Sequence, residues 1–154
     1  MLWPAAMILR KHDGCAFVLW ADYYDDLLTA LFVANLRRAG WNTRLIGLNG
    51  DTHSGCNGIK IVADISLSQA LRSGERPVCI VAPCAPEQIE TELDGRLGEF
   101  LDHAGSQGAV FVAKPRLIGS YNHYWPDNGL TVTNNPAEVF SLLHLVIQQL
   151  EKVH

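Results

Sequence analysis

The chain has 154 residues, of which 48% are hydrophobic and 18% are charged. This length suits a single domain spanning residues 1–154, and the composition excludes an intrinsically disordered chain because a full hydrophobic core can form. The 12 lysine and arginine residues are scattered and the formal net charge is -4, so we do not expect a nucleic-acid partner.

Targeting signals are not recognisable in the sequence. Residues 1–9 are apolar and precede Arg10 and Lys11, which reverses the order of a secretory signal. No apolar run approaches the roughly 20 residues that span a bilayer. The four cysteines have no regular framework spacing. We therefore expect reduced thiols in a cytoplasmic protein that does not bind membranes.

The first half of the chain alternates strand and helix patterns. A continuous apolar run at residues 15–20 predicts a central strand that is covered on both faces. Apolar residues at helical spacing predict a helix over residues 24–39, and Gly40 ends it. Two further strands are predicted at residues 43–48 and 59–62.

The segments between these elements carry turn and cap signals. Residues 49–58 are predicted to form a polar turn, which ends in the Asn57-Gly58 dipeptide that favours tight reversals. Ser66 and Gln69 have the spacing of a capping box, so a brief helix is predicted from there to Leu71.

The second half repeats the alternation. Asn135, Pro136 and Glu138 combine an N-cap, a proline at the first helical position and a glutamate at the third, which predicts the last helix strongly. The predicted elements are a strand at residues 78–82, a helix from 86 to about 104, strands at 110–113 and 130–133, and a helix from 136 to about 150.

This alternation predicts an α/β protein, a flavodoxin-like three-layer sandwich with a mostly parallel central sheet. Ligands in such sheets bind at the carboxyl ends of the strands. The strand at residues 110–113 directs attention to Lys114, which follows it. No serine or cysteine stands at that strand end.

Five segments resemble the ThiJ/PfpI superfamily, the class I glutamine-amidotransferase-like group. They read LWADYYDDLLTALFVANLRRAGWNTRLIGLNG, GIKIVADISLSQAL, VCIVAPC, GEFLDHAGSQGAVFVAKP and NGLTVTNNPAEVFSLLHLVIQQL. The resemblance covers most of the chain in order and spacing. It implies the fold described above and a functional site at the carboxyl end of the sheet.

The same resemblance implies that this chain lacks the catalytic residues of the superfamily. The place of the nucleophilic cysteine is held by Lys114, and that of its supporting glutamate by Leu28. The turn that supplies oxyanion-binding amides corresponds to residues 83–85. Only about 15 residues join Lys114 to Leu130, so the segment that carries a family histidine is largely missing.

Lys114 and Cys84 are the two alternative reactive residues. A lysine attacks only when its pKa is depressed, and Asp22, Asp25 and Asp26 are expected near the same sheet end, where they would keep Lys114 charged. A structural ion pair or a solvated lysine is therefore the favoured alternative for Lys114. Cys84 follows a strand and precedes a helix, which favours a thiolate. A buried, inert thiol is the alternative for Cys84.

Two His-x-x-Cys pairs invite comparison with zinc sites: His12 with Cys15, and His53 with Cys56. In the predicted fold the two pairs lie at opposite ends of the sheet, so we expect no metal site. No cofactor is expected either.

Two other segments suggest binding surfaces. The aromatic and polar residues 121–127 either line a small-molecule pocket or a partner surface, or pack over the end of the sheet. His123 in this segment is distant from Cys84 in sequence, and only folding could bring the two together. The last helix is apolar on more than one face, so it is either deeply buried or shared with a second subunit, as in a homodimer.

The favoured hypothesis is a non-catalytic ThiJ/PfpI-like protein that binds a small molecule or a protein partner. Its predicted binding residues are Asp22, Cys84, Lys114 and His123. The alternative is an enzyme of hydrolase, deglycase or chaperone-like type with a relocated nucleophile at Cys84 or Lys114. A purely structural subunit is a third possibility.

Overall fold

The structure, a computed structural model, describes residues 13–89, 95–117, 125–133 and 135–153. Within these ranges strands and helices alternate along the chain. In order, the elements are β1 Cys15–Trp20, α1 Asp26–Arg38, β2 Asn42–Gly47, β3 Thr52–Ser54, β4 Lys60–Val62, β5 Ile65–Ser66, α2 Leu67–Arg72, β6 Pro77–Ala82, α3 Pro86–Ile89, α4 Gly95–Ser106, β7 Val110–Ala113, β8 Leu130–Thr131 and α5 Pro136–Val153.

Six of the eight described strands form a central parallel sheet in the order β5-β2-β1-β6-β7-β8. Every residue of β1 and of β6 is buried, because helices cover both faces of the sheet. After β1 the chain builds the sheet to one side through β2 and β5, and then continues on the other side from β6. This sheet confirms the predicted flavodoxin-like α/β fold.

The helices form a layer on each face of the sheet. On one face α1 packs against β1, β2 and α5, and on the other α4 packs against β6 and α2. The ring of Phe17 in β1 meets the ring of Phe100 in α4 edge-on, with 5.2 Å between centroids. Phe32 of α1 is completely buried on its own side. The three predicted layers are therefore present.

Local capping sets the ends of α1. The Asp25 carboxylate accepts a hydrogen bond from the Leu28 N–H at 3.0 Å, which satisfies one of the free amides of the first turn. Gly40 follows the helix with a φ of +92°, a conformation that glycine adopts without strain. The predicted helix over residues 24–39 is thus confirmed, with its ends moved by one or two residues.

The polar turn predicted at residues 49–58 is wrong in part, because it contains β3. This strand pairs antiparallel with β4, and the two form a separate hairpin outside the central sheet. The strand beyond β2 in the central sheet is instead the two-residue β5. Short strands with largely exposed side chains carry little apolar alternation, so only their pairing partners define them.

The second half of the chain follows the prediction more closely. The reciprocal bonds of the capping box join Ser66 and Gln69 at the start of α2. The helix predicted from residue 86 to about 104 is described as α3 and α4, and residues 90–94 lie outside the described ranges. Before α5, the Asn135 side chain accepts from the Ala137 N–H at 3.1 Å. None of the helices in the described ranges is both long and apolar enough to cross a bilayer.

Candidate functional site

The carboxyl ends of β1, β6 and β7 meet where the chain crosses from one side of the sheet to the other, which is where open α/β sheets bind ligands. Backbone hydrogen bonds join the segments that leave these strands. The Asp25 N–H donates to the Pro83 carbonyl oxygen at 2.8 Å, and the Lys114 N–H donates to the Cys84 carbonyl oxygen at 3.0 Å. We call the region formed by Asp25, Cys84 and Lys114 the sheet-end site.

An ion pair lies at the centre of the sheet-end site. The Lys114 ammonium donates to Oδ2 of Asp25 at 3.1 Å, and the two side chains are 24% and 18% exposed. The other oxygen of the same carboxylate caps α1. An ammonium that is held by a carboxylate has no lone pair for attack on a substrate. Of the three carboxylates expected near this sheet end, Asp25 is therefore the one that pairs with Lys114.

The Cys84 thiol lies beneath this ion pair and is almost inaccessible, with 1% of the residue exposed. Burial raises the pKa of Cys84 from 9.0 to about 12, and the Glu87 carboxylate adds to the rise. The hydrogen bond with Tyr24 and the charge of Lys114 lower this pKa, but burial outweighs them. The structure therefore presents Cys84 as a protonated thiol, the inert alternative of the sequence analysis.

Asp26, next to the ion-paired Asp25, holds the loop before β4. Its carboxylate is fully buried and accepts hydrogen bonds from Asn57 N at 3.1 Å, Asn57 Nδ2 at 2.7 Å and Ile59 N at 3.0 Å. Desolvation raises the pKa of Asp26, but these hydrogen bonds outweigh it and lower the pKa below the ordinary 3.8. Asp26 is therefore an ionised structural carboxylate.

The loop that Asp26 holds leaves no room for a side chain at Gly55. A Cβ atom there would lie 2.5 Å from both the Cβ and Oδ2 of Asp26. We expect Gly55→Ala to lower the free energy of unfolding by about 2 kcal/mol, because the carboxylate must move. Urea denaturation measures the stability of this variant and of the control Gly105→Ala. Gly105 is exposed on α4, and a Cβ atom added there would meet no heavy atom within 4 Å. Equal stability of the two variants would contradict the prediction.

Asp22, a predicted ligand-binding residue, contacts the β3–β4 hairpin rather than Lys114. Its Oδ1 lies 3.0 Å from Nδ1 of His53 and accepts from the Ser54 N–H at 3.3 Å. The other ring nitrogen of His53 lies 3.0 Å from the Gly50 carbonyl oxygen. Asp22 therefore anchors the hairpin, and both nitrogens of His53 already contact oxygen atoms.

Among the described residues, the two His-x-x-Cys pairs do not come together to form one metal site. Cys15 is completely buried at the amino end of β1, whereas His53 contacts Asp22 just beyond the carboxyl end of the same strand. Cys15 and His53 therefore lie at opposite ends of the sheet. His12 lies outside the described residues.

One group of side chains has the spacing of a metal site. It consists of Asp25, Asp26 and Cys56, whose ligand atoms all lie within 4.8 Å of one another. Such a group can in principle hold a cation. Both carboxylates, however, already accept hydrogen bonds, and the ammonium of Lys114 is 3.1 Å from Asp25. A metal would have to displace these bonds and would meet the lysine charge, so these residues do not fit a metal ion.

A cleft of about 330 Å³ opens beside the ion pair. One wall is apolar and comes from α1 and α5, and the other is polar and includes the ion pair. The lining residues are Asp25, Leu27, Leu28, Leu31, Cys56, Asn57, Lys114, Thr133 and Val139.

Several cleft residues have no signal in the sequence that assigns them to this site. Cys56 and Asn57 come from the loop before β4, Thr133 follows β8, and Val139 lies in α5. Only the fold brings these segments to Lys114. The helical spacing of Leu27 and Leu31 placed them on α1, but it gave no sign that they face a cleft.

His123 lies outside the described residues, so its role stays a prediction. Within the aromatic segment 121–127, Trp125 is 4% exposed and packs edge-on against Phe111 with 5.0 Å between ring centroids. This contact favours packing of Trp125 over the sheet. Trp125 and Lys114 both line a smaller cleft of about 230 Å³.

No protein-family model matches the chain, and no curated protein matches its sequence. Solved structures with the same fold do match. DJ-1beta of Drosophila melanogaster has 18% identity and a TM-score of 0.66, with 90% of this chain and 91% of that chain covered. Oxidized DJ-1 of Toxoplasma gondii has 14% identity and a TM-score of 0.62, with 91% and 95% covered. The ThiJ/PfpI domain protein of Brachyspira murdochii has 12% identity and a TM-score of 0.63, with 92% and 99% covered. At these identities the likeness establishes the fold alone.

Proposed function

We propose that this chain is a divergent, shortened ThiJ/PfpI-like protein without catalytic activity, which binds a small molecule or a protein partner at the sheet-end site. The observation that carries the proposal is the ion pair between Lys114 and Asp25 on the wall of an open cleft. Under the sequence resemblance, Lys114 holds the position of the family nucleophile. A salt-bridged ammonium there binds and orients, but it does not attack.

Covalent catalysis needs an activated nucleophile, a group that takes its proton and amides that meet the developing oxyanion. At the sheet-end site the thiol of Cys84 is buried and protonated. Leu28 stands where the resemblance expects a supporting glutamate, and an aliphatic side chain can neither hold nor move a proton. These features support a binding role over acyl transfer.

An enzyme with a relocated nucleophile is the second candidate. Its support is that Cys84 and Lys114 follow neighbouring parallel strands and are joined by a backbone hydrogen bond. The burial of the thiol and the ion pair of the amine both count against it. Cytoplasmic location, a single domain and a homodimer are further parts of the proposal, and exposed Phe140 and Leu145 on α5 suit a subunit contact.

Hydrolysis of p-nitrophenyl acetate tests the absence of covalent catalysis. The Cys56→Ser background removes the exposed thiol, which would otherwise react with the ester without enzymatic help. In this background we expect Cys84→Ser and Lys114→Met to change the rate by less than about twofold, since neither group is a nucleophile. A loss of about 100-fold or more in either variant would support the enzyme instead.

A further inference from the structure

We infer that the cleft beside Lys114 binds an uncharged molecule that has a short aliphatic body and one hydrogen-bond acceptor oxygen. This inference rests on the proposed function and names the class of ligand that the site takes. It follows from the charges, the apolar wall and the free donors of the cleft.

The charges of the cleft disfavour an ionic ligand of either sign. Lys114 and Asp25 neutralise each other at 3.1 Å, and the buried carboxylate of Asp26 lies next to them. An anion that approaches Lys114 therefore meets two carboxylates within the same few ångströms. A cation meets the lysine ammonium, and both carboxylates are already engaged, Asp25 by Lys114 and Asp26 by the loop before β4. A neutral molecule avoids both repulsions and leaves the ion pair intact.

The apolar wall favours an aliphatic body. Leu27, Leu28, Leu31 and Val139 line the cleft, and Leu27 is 56% exposed. Covering such a surface is favourable in proportion to the apolar area that leaves water. Leu27 and Leu31 lie one turn apart on α1, so the wall extends about 6 Å along the helix and suits a short aliphatic chain better than a polar group.

Lys114 supplies the polar recognition. An ammonium has three N–H donors, and among the described residues Lys114 uses one of them for Asp25. The two that remain suit a carbonyl or amide oxygen, which accepts without carrying charge. The hydrogen bond from the Lys114 ammonium to the oxygen of a neutral ligand is then charge-assisted, and therefore stronger than one between two neutral groups.

A series of three molecules of the same length tests the charge rule: hexanamide, hexanoate and hexylammonium. We expect hexanamide to shift the NMR amide signals of cleft residues such as Leu31, Asn57 and Thr133. We expect the two ions to bind at least about tenfold more weakly, because each meets a like charge near Lys114.

Two variants tie the binding to Lys114. Lys114→Met is expected to weaken hexanamide about tenfold, whereas Lys152→Met, at an exposed position at the end of α5, should leave it unchanged. Lys114→Met leaves the part-buried Asp25 without its partner and could prevent folding. In that case the double variant Asp25→Asn/Lys114→Met replaces it in the binding measurement. The same loss is expected in it.

The outcomes separate the two proposals. Binding of hexanoate or hexylammonium at the cleft as tightly as hexanamide would overturn the inferred ligand class and leave the binding function in place. Unchanged hexanamide affinity in the Lys114 variants would also overturn the inference. If none of the three molecules shifts the cleft signals, the inferred ligand class is overturned, whereas the absence of catalysis is tested separately by the ester assay.

Discussion

At neutral pH the native protein is expected to react rapidly with one equivalent of a thiol reagent per chain, at Cys56. Cys56 is the exposed member of the four cysteines, whereas Cys15, Cys79 and Cys84 are buried. Burial raises the pKa of Cys79 and of Cys84 from 9.0 to about 12. Because the thiolate is the reacting form, its fraction at neutral pH falls about 1000-fold, in addition to the loss of access.

A chromogenic disulfide reagent measures this difference directly. Native protein should show one fast thiol, and denatured protein all four. Cys56→Ser should abolish the fast phase, and Cys84→Ser should leave it unchanged. If the fast phase instead survives in Cys56→Ser and disappears in Cys84→Ser, Cys84 is a reactive thiol and the enzyme hypothesis gains its nucleophile.

Asp26→Ala is expected to lower the free energy of unfolding by about 4 kcal/mol. The buried carboxylate accepts three hydrogen bonds from Asn57 and Ile59, and a hydrogen bond to a charged group contributes about 1.5 to 3 kcal/mol. Without the carboxylate, the Asn57 and Ile59 amides lose their acceptor and the loop loses its anchor to α1. Partial opening of the loop to water keeps the total below the sum of the three bonds.

Urea denaturation measures the loss, and Asp102→Ala is the matched control. Asp102 is exposed on α4, so its substitution should change the stability by less than about 0.5 kcal/mol. A similar, small change in both variants would show that Asp26 does not hold the loop. Cleft binding of hexanamide should also weaken in Asp26→Ala, since Cys56 and Asn57 belong to the same loop.

The same carboxylate makes stability depend on acid. The folded-state pKa of Asp26 lies below 3.8, so its contribution is complete above that value and disappears as the pH falls through the folded-state pKa. Asp26→Asn has no charge to lose at this position. Its stability should therefore fall less than that of the native protein between about pH 5 and pH 2, even though it starts lower. Equal falls would contradict this assignment.

The proposed binding function depends on how Lys114 is held at the sheet-end site. Lys114 directly follows β7 and lines the cleft, and its side chain is held by the ion pair with Asp25. The carboxylate serves two structural roles, since it caps α1 and pairs with the ammonium. Under the proposed function, this fixed charge pair and the apolar wall beside it would recognise a neutral molecule through shape and one hydrogen bond.

The sequence by itself determined the elements that carry their own signals. The buried strands β1 and β6 follow from continuous apolar runs, and α1, α2 and α5 from helical spacing and caps. It also placed Cys84 and Lys114 at the same end of a parallel sheet, because residues that follow parallel strands share an edge.

Only the tertiary structure decided the pairing and the contacts between distant segments. The three residues of β3 and the two of β5 are too short for a periodic signal, so their partners alone define them. The bond between Lys114 and Asp25 spans 89 positions, and those between Asp26 and the loop before β4 span 31 and 33. Neither spacing nor composition records which polar groups meet over such distances. Packing of the whole chain selects them, and it buries Cys84 while leaving the cleft beside it open.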